Sequence, residues 1–257
     1  MAITLKTEED IKKLRKGGKI HAAIMEELVA VAKAGNTTLD IDDRAMELME
    51  EHGVEPMILG YHAQFAPRPF PASICVSIND VLVHGIPNES PEEIKDGDVV
   101  SIDLVIGYEG MVLDGATTVG VGNIAPEDQV LIDVTKAALK AGIHAAVAGN
   151  YVKDIGRAIE DVVPNQYGIV EALSGHGVGY ELHEEPMVPN FVMKGESPEL
   201  VPGMVLAIEP MIIDGDKEVI FDEKDGYTVF TADGGTGAHF EHTVLITDKG
   251  PEILTIK

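Results

Sequence analysis

The spacing of hydrophobic residues in the first part of the chain predicts two helices. Apolar side chains recur at roughly helical intervals over residues 11–31, and Thr7 followed by three acids is typical of a helix N-terminus. A second helix is expected over residues 38–52, closed by Gly53. Further along, the pattern predicts helices over about 128–148 and 154–163.

Runs rich in apolar and β-branched residues predict strands between and after these helices. Residues 58–72 are rich in proline and aromatic residues, which favours an irregular loop. Gly-Tyr-Glu-Gly at 107–110 separates two β-rich runs and predicts a hairpin. The predicted strands cover residues 74–78, 81–83, 99–106, 111–119, 205–213 and 240–246.

The predicted hairpin carries two carboxylates in otherwise apolar strands. If Gly107 pairs with Gly110, Asp103 lies directly opposite Asp114, with Cβ atoms roughly 4.5–5.5 Å apart. Like charges at that distance repel, and a bare carboxylate is costly to bury. A cation between them removes both penalties. The alternative is a different register, with one of the two Asp residues facing solvent.

The two halves of the chain, about 1–122 and 123–257, resemble each other. In this comparison Asp103 aligns with Glu209, Asp114 with Glu241, and His84 with His176. A pseudo-twofold arrangement would bring all six side chains to the centre of the molecule. The matched stretches are 34–41 with 148–155, 83–86 with 175–178, and 97–103 with 203–209.

Such a cluster favours metal-assisted hydrolysis. Four carboxylates in one pocket cannot all stay ionised without cations, because close like charges raise their pKa values. Oxygen ligands with one imidazole and no thiolate fit two divalent ions of Mn, Fe, Co or Zn, which can activate a water and polarise a peptide carbonyl. The converging residues are Asp103, Asp114, His176, Glu209 and Glu241, with His84 and His183 nearby.

Composition narrows the class of protein. A net charge of −25 over 257 residues argues against nucleic-acid binding, which needs a basic face. Cys75 is the single cysteine, so no intrachain disulfide can form and a reducing, cytoplasmic location is expected. The sequence contains no long apolar run, and therefore no membrane span is expected.

Seven short motifs resemble those of methionine aminopeptidases, metallopeptidases of the pita-bread fold. One such motif alone is weak, whereas the series follows the family's order over most of the chain. The resemblance implies an α/β (α+β) fold in one domain over 1–257, with a central antiparallel sheet and helices on its outer face. The motifs are VHGIP at 83–87, SIDL at 101–104, LDGAT at 113–117, SGHGVG at 174–179, LHEEP at 182–186, AIEP at 207–210 and EHT at 241–243.

The resemblance also implies roles for individual residues. Glu209 would handle the proton of the water that attacks the amide. His183 would contact the scissile amide or its oxyanion, and His84 the substrate nitrogen. The implied metal ligands are Asp103, Asp114, His176, Glu209 and Glu241.

The methionine pocket of the family corresponds less closely to this sequence. Cys75 matches, Leu182 stands where an aromatic residue is common, and Tyr227 replaces the more usual Trp. The 62–69 loop is several residues longer than typical. The predicted substrate contacts are His84, His183, Cys75, Phe70, Leu182, Tyr227 and Tyr61.

The spacing of the last two acids favours the short, bacterial-like type I form, because only 31 residues separate Glu209 from Glu241. The expected reaction is release of N-terminal methionine from peptides and nascent proteins with a small second residue. A monomer is expected, and a position near the ribosome would suit such substrates. The alternatives are an Xaa-Pro dipeptidase of the same fold and a non-catalytic peptide-binding relative.

Other polar residues near these motifs are interpreted as structural. His242 should point to the opposite side of its strand from Glu241. Glu184 and Glu185 are read as supporting or surface groups, and Cys75 as part of a pocket wall. Four histidines have no motif support and are assigned to the surface, core or loops: His52, His62, His144 and His239.

Overall fold

The computed structural model describes residues 3–63 and 66–257. The expected irregular loop at 58–72 contains residues 64 and 65, which lie outside the described residues. Within the described part, the helices are α1 (Glu8–Val31), α2 (Thr38–His52), α3 (Pro126–Ala145) and α4 (Val152–Val162).

The strands are short apart from one long hairpin. They form a four-stranded sheet, a five-stranded sheet and two three-stranded sheets within the described residues. The strands are β1 (Glu55–Pro56), β2 (Cys75–Ile78), β3 (Val81–Val83), β4 (Val99–Tyr108), β5 (Met111–Gly120), β6 (Gly168–Ile169), β7 (Gly175–Gly177), β8 (Glu184–Val188), β9 (Val205–Ile208), β10 (Met211–Ile213), β11 (Val219–Phe221), β12 (Val229–Thr231), β13 (Gly237–His239), β14 (His242–Thr247) and β15 (Gly250–Ile253).

The helix boundaries follow from side chains that cap them. Thr7 and Thr37 each accept from the backbone N–H three residues later and begin α1 and α2 with capping boxes. Helix α4 begins at Val152, two residues before the prediction, because Asp154 accepts the Tyr151 N–H at 2.8 Å and is the third helical residue. Helix α3 ends at Ala145, earlier than the predicted end at 148.

The register of the β4–β5 hairpin differs from the prediction. Glu109 and Gly110 adopt left-handed backbone conformations, so they form a two-residue turn and Tyr108 pairs with Met111. Asp103 therefore faces Ala116 rather than Asp114. The shift amounts to two residues, which preserves the face on which side chains project, so both carboxylates still share one side of the sheet.

The predicted strands over 205–213 and 240–246 were wrong at their acidic residues, which lie outside the strands of the structure. Glu209 and Pro210 lie between β9 and β10, which belong to different sheets. Pro210 has no backbone N–H for a ladder, which explains the break. Glu241 lies between β13 and β14, and its backbone exchanges hydrogen bonds with Ala116 of β5 instead.

The two halves of the chain meet along β5 and β14. The Ala116 and Glu241 backbones bond to each other at 3.3 and 3.0 Å. Thr243 provides the corresponding link with its hydroxyl, which accepts the Asp114 N–H at 2.9 Å and donates to the Asp114 carbonyl at 2.7 Å. This junction fixes Asp114 and Glu241 next to each other.

The sequence repeat has matching local geometry in several places. Gly35 and Gly149 both have φ +90°, and their N–H groups bond to the Ile94 and Leu200 carbonyls. The predicted correspondence between His84 and His176 is not found in the pairing of the strands. His176 pairs with Ala207 in β9, and the corresponding pair in the first half is Ser77 with Ser101.

His84 is therefore not the counterpart of His176 in the strand pairing. It follows β3 in a left-handed conformation with φ +58°, whereas His176 lies within β7. The two histidines share glycine-rich surroundings in the sequence but reach the centre of the molecule from different types of backbone structure.

Helix α1 packs against the β4–β5 hairpin and buries Leu14, Ile24 and Leu28. Gly17 permits close approach, since a Cβ there would come within 2.5 Å of the Leu113 side chain. Helices α3 and α4 pack on each other in the second half. None of the helices described is long and apolar enough to cross a membrane.

Candidate metal centre and active site

A cavity of about 350 Å³ lies where the two halves meet, and every residue predicted from the sequence to form the site lines it. The six side chains that the sequence comparison aligned are among them. The predicted residues that line the cavity are Tyr61, Phe70, Cys75, His84, Asp103, Asp114, His176, Leu182, His183, Glu209, Tyr227 and Glu241.

Three of these residues form a buried group suited to a metal ion. One ligand atom each from Asp114, His176 and Glu241 lies within 4.8 Å of the other two. His176 is oriented by its second ring nitrogen, because Nδ1 lies 2.9 Å from the Gly177 carbonyl and donates to it, which leaves the Nε2 lone pair directed at the carboxylates. The first half of the chain supplies one member of this group and the second half supplies two.

Asp103 and Glu209 adjoin the group. Asp103 lies within hydrogen-bonding reach of Asp114. Glu209 Oε1 is 3.4 Å from His176 Nε2. The five predicted ligands are therefore contiguous.

The polar atoms of the site fit divalent cations. Within residues 3–63 and 66–257, Asp103 Oδ1, Asp114 Oδ1 and Glu241 Oε1 are buried without a hydrogen-bond partner. Buried carboxylate oxygens normally have partners, and a cation would satisfy these three together. A donor set of carboxylates and one imidazole without thiolate suits Mn, Fe, Co or Zn.

The electrostatics of the site favour the same conclusion. Burial raises the pKa of Asp103 to about 7 and raises the pKa of Asp114 well above its usual range, where the charge of Asp103 adds to it. Burial followed by the charges of neighbouring carboxylates also raises the pKa values of Glu209 and Glu241. Positive charge would be needed to keep all four ionised at neutral pH.

His183 and His84 line the same cavity as the carboxylates. His183 packs against His176 with ring centroids 4.5 Å apart, and its Nδ1 lies 3.1 Å from the Tyr61 hydroxyl. Burial lowers the pKa of His183, and it lowers that of His84 to about 4. Both imidazoles are therefore neutral at pH 7 and can donate one hydrogen bond or accept one.

An apolar wall adjoins the carboxylates. Cys75 is the cross-strand neighbour of Asp103 and shares its face of the sheet. The Phe70 and Tyr227 rings meet edge to face at 5.1 Å. The Tyr227 hydroxyl donates to the Tyr61 and Arg68 carbonyls, which fixes its ring against the loop. Leu182, 8% exposed, completes the wall.

His239 is the polar cavity residue that motif reasoning missed. It is 2% exposed, and its Nε2 lies 3.7 Å from Glu209 Oε2 and 4.0 Å from Glu241 Oε2. A signal was present in the sequence, because a residue two positions before Glu241 in an extended segment projects to the same side. The other histidines without motif support, His52, His62 and His144, are exposed.

The remaining polar residues near the motifs lie away from the carboxylates. His242 lines a separate cavity on the other side of the strands, and its Nδ1 lies 2.9 Å from the Thr255 hydroxyl. Glu184 is buried in an ion pair with Lys6 at 2.6 Å. Its second oxygen accepts the Tyr180 and Glu181 N–H groups, so it shapes the turn before His183.

Comparison with known proteins identifies the family. Residues 12–248 match the model of metallopeptidase family M24. The chain belongs to this family. Membership makes the chain a hydrolase of the metallopeptidase class and agrees with the buried carboxylate and imidazole group.

Several M24 relatives match the chain along its whole length. A methionine aminopeptidase of Aquifex aeolicus is 44% identical over 259 residues, covering 99% of each sequence. Methionine aminopeptidase 1 of Bacillus subtilis is 41% identical, covering 98% of this chain and 99% of the relative. Both carry the family name that the motifs predict.

Solved structures of M24 proteins confirm the pita-bread fold. The crystal structure of a methionine aminopeptidase from Thermotoga maritima superposes with a TM-score of 0.93 at 37% identity, covering 100% of both chains. A prolidase from Pyrococcus furiosus superposes with a TM-score of 0.74 at 24% identity and covers 98% of this chain but 65% of its own. The second likeness concerns the fold alone.

Proposed function

We propose that this M24 protein removes the N-terminal methionine from peptides and nascent proteins, favouring a small second residue. The observation that carries the proposal is the position of the Asp114–His176–Glu241 group beside a closed apolar wall. Full-length identity of 41–44% to relatives named methionine aminopeptidase supports the same reaction.

The metal centre in this proposal holds two divalent ions of Mn, Fe, Co or Zn. The protein ligands would be Asp103, Asp114, His176, Glu209 and Glu241. Two such ions, when bound, lower the pKa of a water and polarise the scissile carbonyl. The unpartnered buried oxygens of Asp103, Asp114 and Glu241 support this assignment.

The chain's own residues would then orient the substrate and move protons. Glu209 accepts the proton of the attacking water and returns it to the leaving amine. His183, neutral and supported by the Tyr61 hydroxyl, donates a hydrogen bond to the scissile amide or its oxyanion. His84 contacts the substrate nitrogen.

The apolar wall would receive the methionine side chain. Phe70, Cys75, Leu182 and Tyr227 offer the flexible thioether an aromatic and sulfur-containing surface. An apolar pocket of this kind discriminates by about 1–3 kcal/mol per methylene. Leu182 and Tyr227, which depart from the residues usual in the family, would contribute to the side-chain preference of this pocket.

The cellular setting follows from this reaction. The partners would be peptide and nascent-protein N-termini, met near the ribosome in the cytoplasm. One chain of 257 residues, acting as a monomer and as a single catalytic domain of two pseudo-symmetric halves, would suffice, since the residues named above come from one chain. Neither nucleic acid nor a membrane is a partner in this account.

The test measures release of free amino acid by chelator-stripped protein after single additions of Mn²⁺, Fe²⁺, Co²⁺ or Zn²⁺. We expect turnover of Met-Ala-Ser and at least tenfold slower turnover of Leu-Ala-Ser, corresponding to about 1.4 kcal/mol. Hydrolysis of Ala-Pro in preference to Met-Ala-Ser would make the protein an Xaa-Pro dipeptidase. Peptide binding without release of any amino acid would make it a non-catalytic relative.

A further inference from the structure

His239 is a buried imidazole of the central cavity to which the reaction described above assigns no role. Its side chain is 2% exposed and lines the cavity together with the carboxylates. Neither Nδ1 nor Nε2 has a hydrogen-bond partner in the part of the chain that the structure describes. Leaving both nitrogens of a buried imidazole unpaired is costly, so such a residue requires a function.

The backbone holds His239 in a fixed place. Its N–H donates to the Thr118 hydroxyl at 2.9 Å, and its carbonyl accepts from the same hydroxyl at 2.7 Å. Met211 pairs with it across β10 and β13. Since the Cα is fixed by Thr118 and by the strand pairing, only rotation of the side chain can adjust the ring.

Of the two carboxylates near the ring, that of Glu209 is nearer than that of Glu241. Oε2 of Glu209 lies 3.7 Å from His239 Nε2, while Oε1 lies 3.4 Å from His176 Nε2. The two carboxylate oxygens thus each face a different imidazole. A distance of 3.7 Å is longer than a hydrogen bond, but such contacts at active sites often tighten when ligands bind.

We propose that His239 is a positioning residue that fixes the orientation of the Glu209 carboxylate by donating its Nε2–H to Oε2. The inference rests on the proposed role of Glu209 in moving the proton of the attacking water. A neutral imidazole has one N–H to donate, and a carboxylate is its strongest acceptor in this cavity. With Oε2 held, Oε1 is the oxygen that remains directed at the metal centre.

The variants His239→Leu and His239→Gln separate this role from packing. Leucine removes the donor, whereas glutamine keeps an N–H donor on a flexible side chain. We expect His239→Leu to lower kcat on Met-Ala-Ser by about 10–100-fold, the usual effect of losing a partner of a metal ligand. KM should stay within about twofold of the wild type, and His239→Gln should restore most of kcat.

A readout without turnover uses the absorption spectrum of the protein loaded with Co²⁺, which responds to the geometry of carboxylate ligands. His239→Leu should alter the spectrum while calorimetry still measures the wild-type number of ions, and His239→Gln should return the spectrum toward wild type. As a control, His242→Leu removes a neighbouring imidazole that faces the opposite cavity and should leave spectrum and kcat unchanged.

Three results would overturn the inference. The first is a His239→Leu enzyme with wild-type kcat and spectrum. The second is loss of one bound ion, which would make His239 a ligand. The third is failure of His239→Gln to restore either property. If the wild type itself releases no methionine, the proposed function fails, whereas the Co²⁺ spectra of the variants still decide the role of His239.

Discussion

The two halves of the molecule supply acids to the same cavity by different means. In the first half, Asp103 and Asp114 lie inside the unbroken strands of one long hairpin. In the second half, Glu209 and Glu241 lie at breaks between strands, where the chain passes from one sheet to another or bonds across to β5. A short side chain suits a strand that faces the cavity directly, and a longer one suits a segment that turns away from it.

The halves also differ in their imidazoles. His176 lies in β7 at the position that Ser77 occupies in β2. The second half additionally contributes His239, so Glu209 has an imidazole beside each of its oxygens. The first half provides Asp103, Asp114 and His84, and the second provides Glu241, two further imidazoles beside Glu209, and the acid proposed to move protons.

The largest effect should follow from exchanging side-chain lengths between the halves. Asp114→Glu moves the carboxylate one methylene further into the cavity, and Glu241→Asp withdraws the carboxylate from the junction. We expect each change to reduce kcat/KM on Met-Ala-Ser by about a thousandfold, or ~4 kcal/mol. Steady-state kinetics with metal titration measure the loss. Activity within tenfold of wild type in either variant would refute the dependence on length.

The metal-free protein should lose stability as pH rises above about 6.5. A carboxyl whose pKa is higher in the folded chain than in the unfolded one binds more protons when folded, so the free energy of unfolding falls as pH rises between the two values. Asp103 has a folded pKa of about 7, and burial with neighbouring carboxylate charge also raises the pKa values of Asp114, Glu209 and Glu241 well above their usual range.

Protonation of the buried histidines does not change the pH dependence of stability above about pH 6.5. Burial lowers their pKa values, to about 4 for His21, so they oppose the trend only below about pH 6.5, where unfolded histidine binds protons. Thermal melts of stripped protein from pH 6.5 to 7.5 should therefore show a falling Tm, and saturating Mn²⁺ should remove the fall. A Tm that rises over this range without metal would contradict the electrostatics described.

Glu184→Gln tests a link between the two halves. Lys6 is buried against Glu184, with side-chain exposures of 1% and 8%, so removing the carboxylate leaves a buried ammonium without its counter-charge. We expect a loss of about 3 kcal/mol in the free energy of unfolding, measured by urea denaturation. Glu252→Gln is the matched control, because its partner Arg15 is half exposed and the pair should contribute under about 1 kcal/mol. Equal losses in the two variants would refute the distinction.

Gly115→Ala should have the smallest effect. An added Cβ would lie 2.7 Å from Cε1 of His21, whose ring is fixed by a 2.8 Å contact between Nε2 and the Leu104 carbonyl. Relieving this clash should cost about 1–2 kcal/mol in urea unfolding. Combined with His21→Ala, the glycine substitution should cost nothing further. If Gly115→Ala lowers the free energy of unfolding equally in the wild type and in His21→Ala, the added Cβ does not clash with His21.

Much of this architecture could be predicted from the sequence because local signals specify it. Thr7 followed by acids reveals one helix start, and the short insert between Gly107 and Gly110 reveals a hairpin. The acids could be found because carboxylates are rare in apolar strands. The exact pairing of Asp103 could not be predicted. It depends on where the turn lies, and the observed turn at 109–110 lies one residue later in the chain than the predicted one.

Other features depend on contacts between distant segments and leave little local trace. The break at Glu209 arises where β9 and β10 join different sheets, which no short window reveals. Ser77 rather than His84 corresponds to His176 because pairing with β4 and β9 determines the equivalence. The position of His239 two residues before Glu241 places it near the cavity, but its contact with Glu209, thirty residues earlier in the chain, leaves no local trace.

The most direct test of the account is a crystal structure of the protein grown with Mn²⁺ or Co²⁺, with anomalous diffraction data collected at the metal edge. The account predicts two peaks inside the central cavity, each within about 2.0–2.3 Å of carboxylate oxygens from both halves of the chain. A single peak bound by one half alone, or peaks outside the cavity, would contradict it.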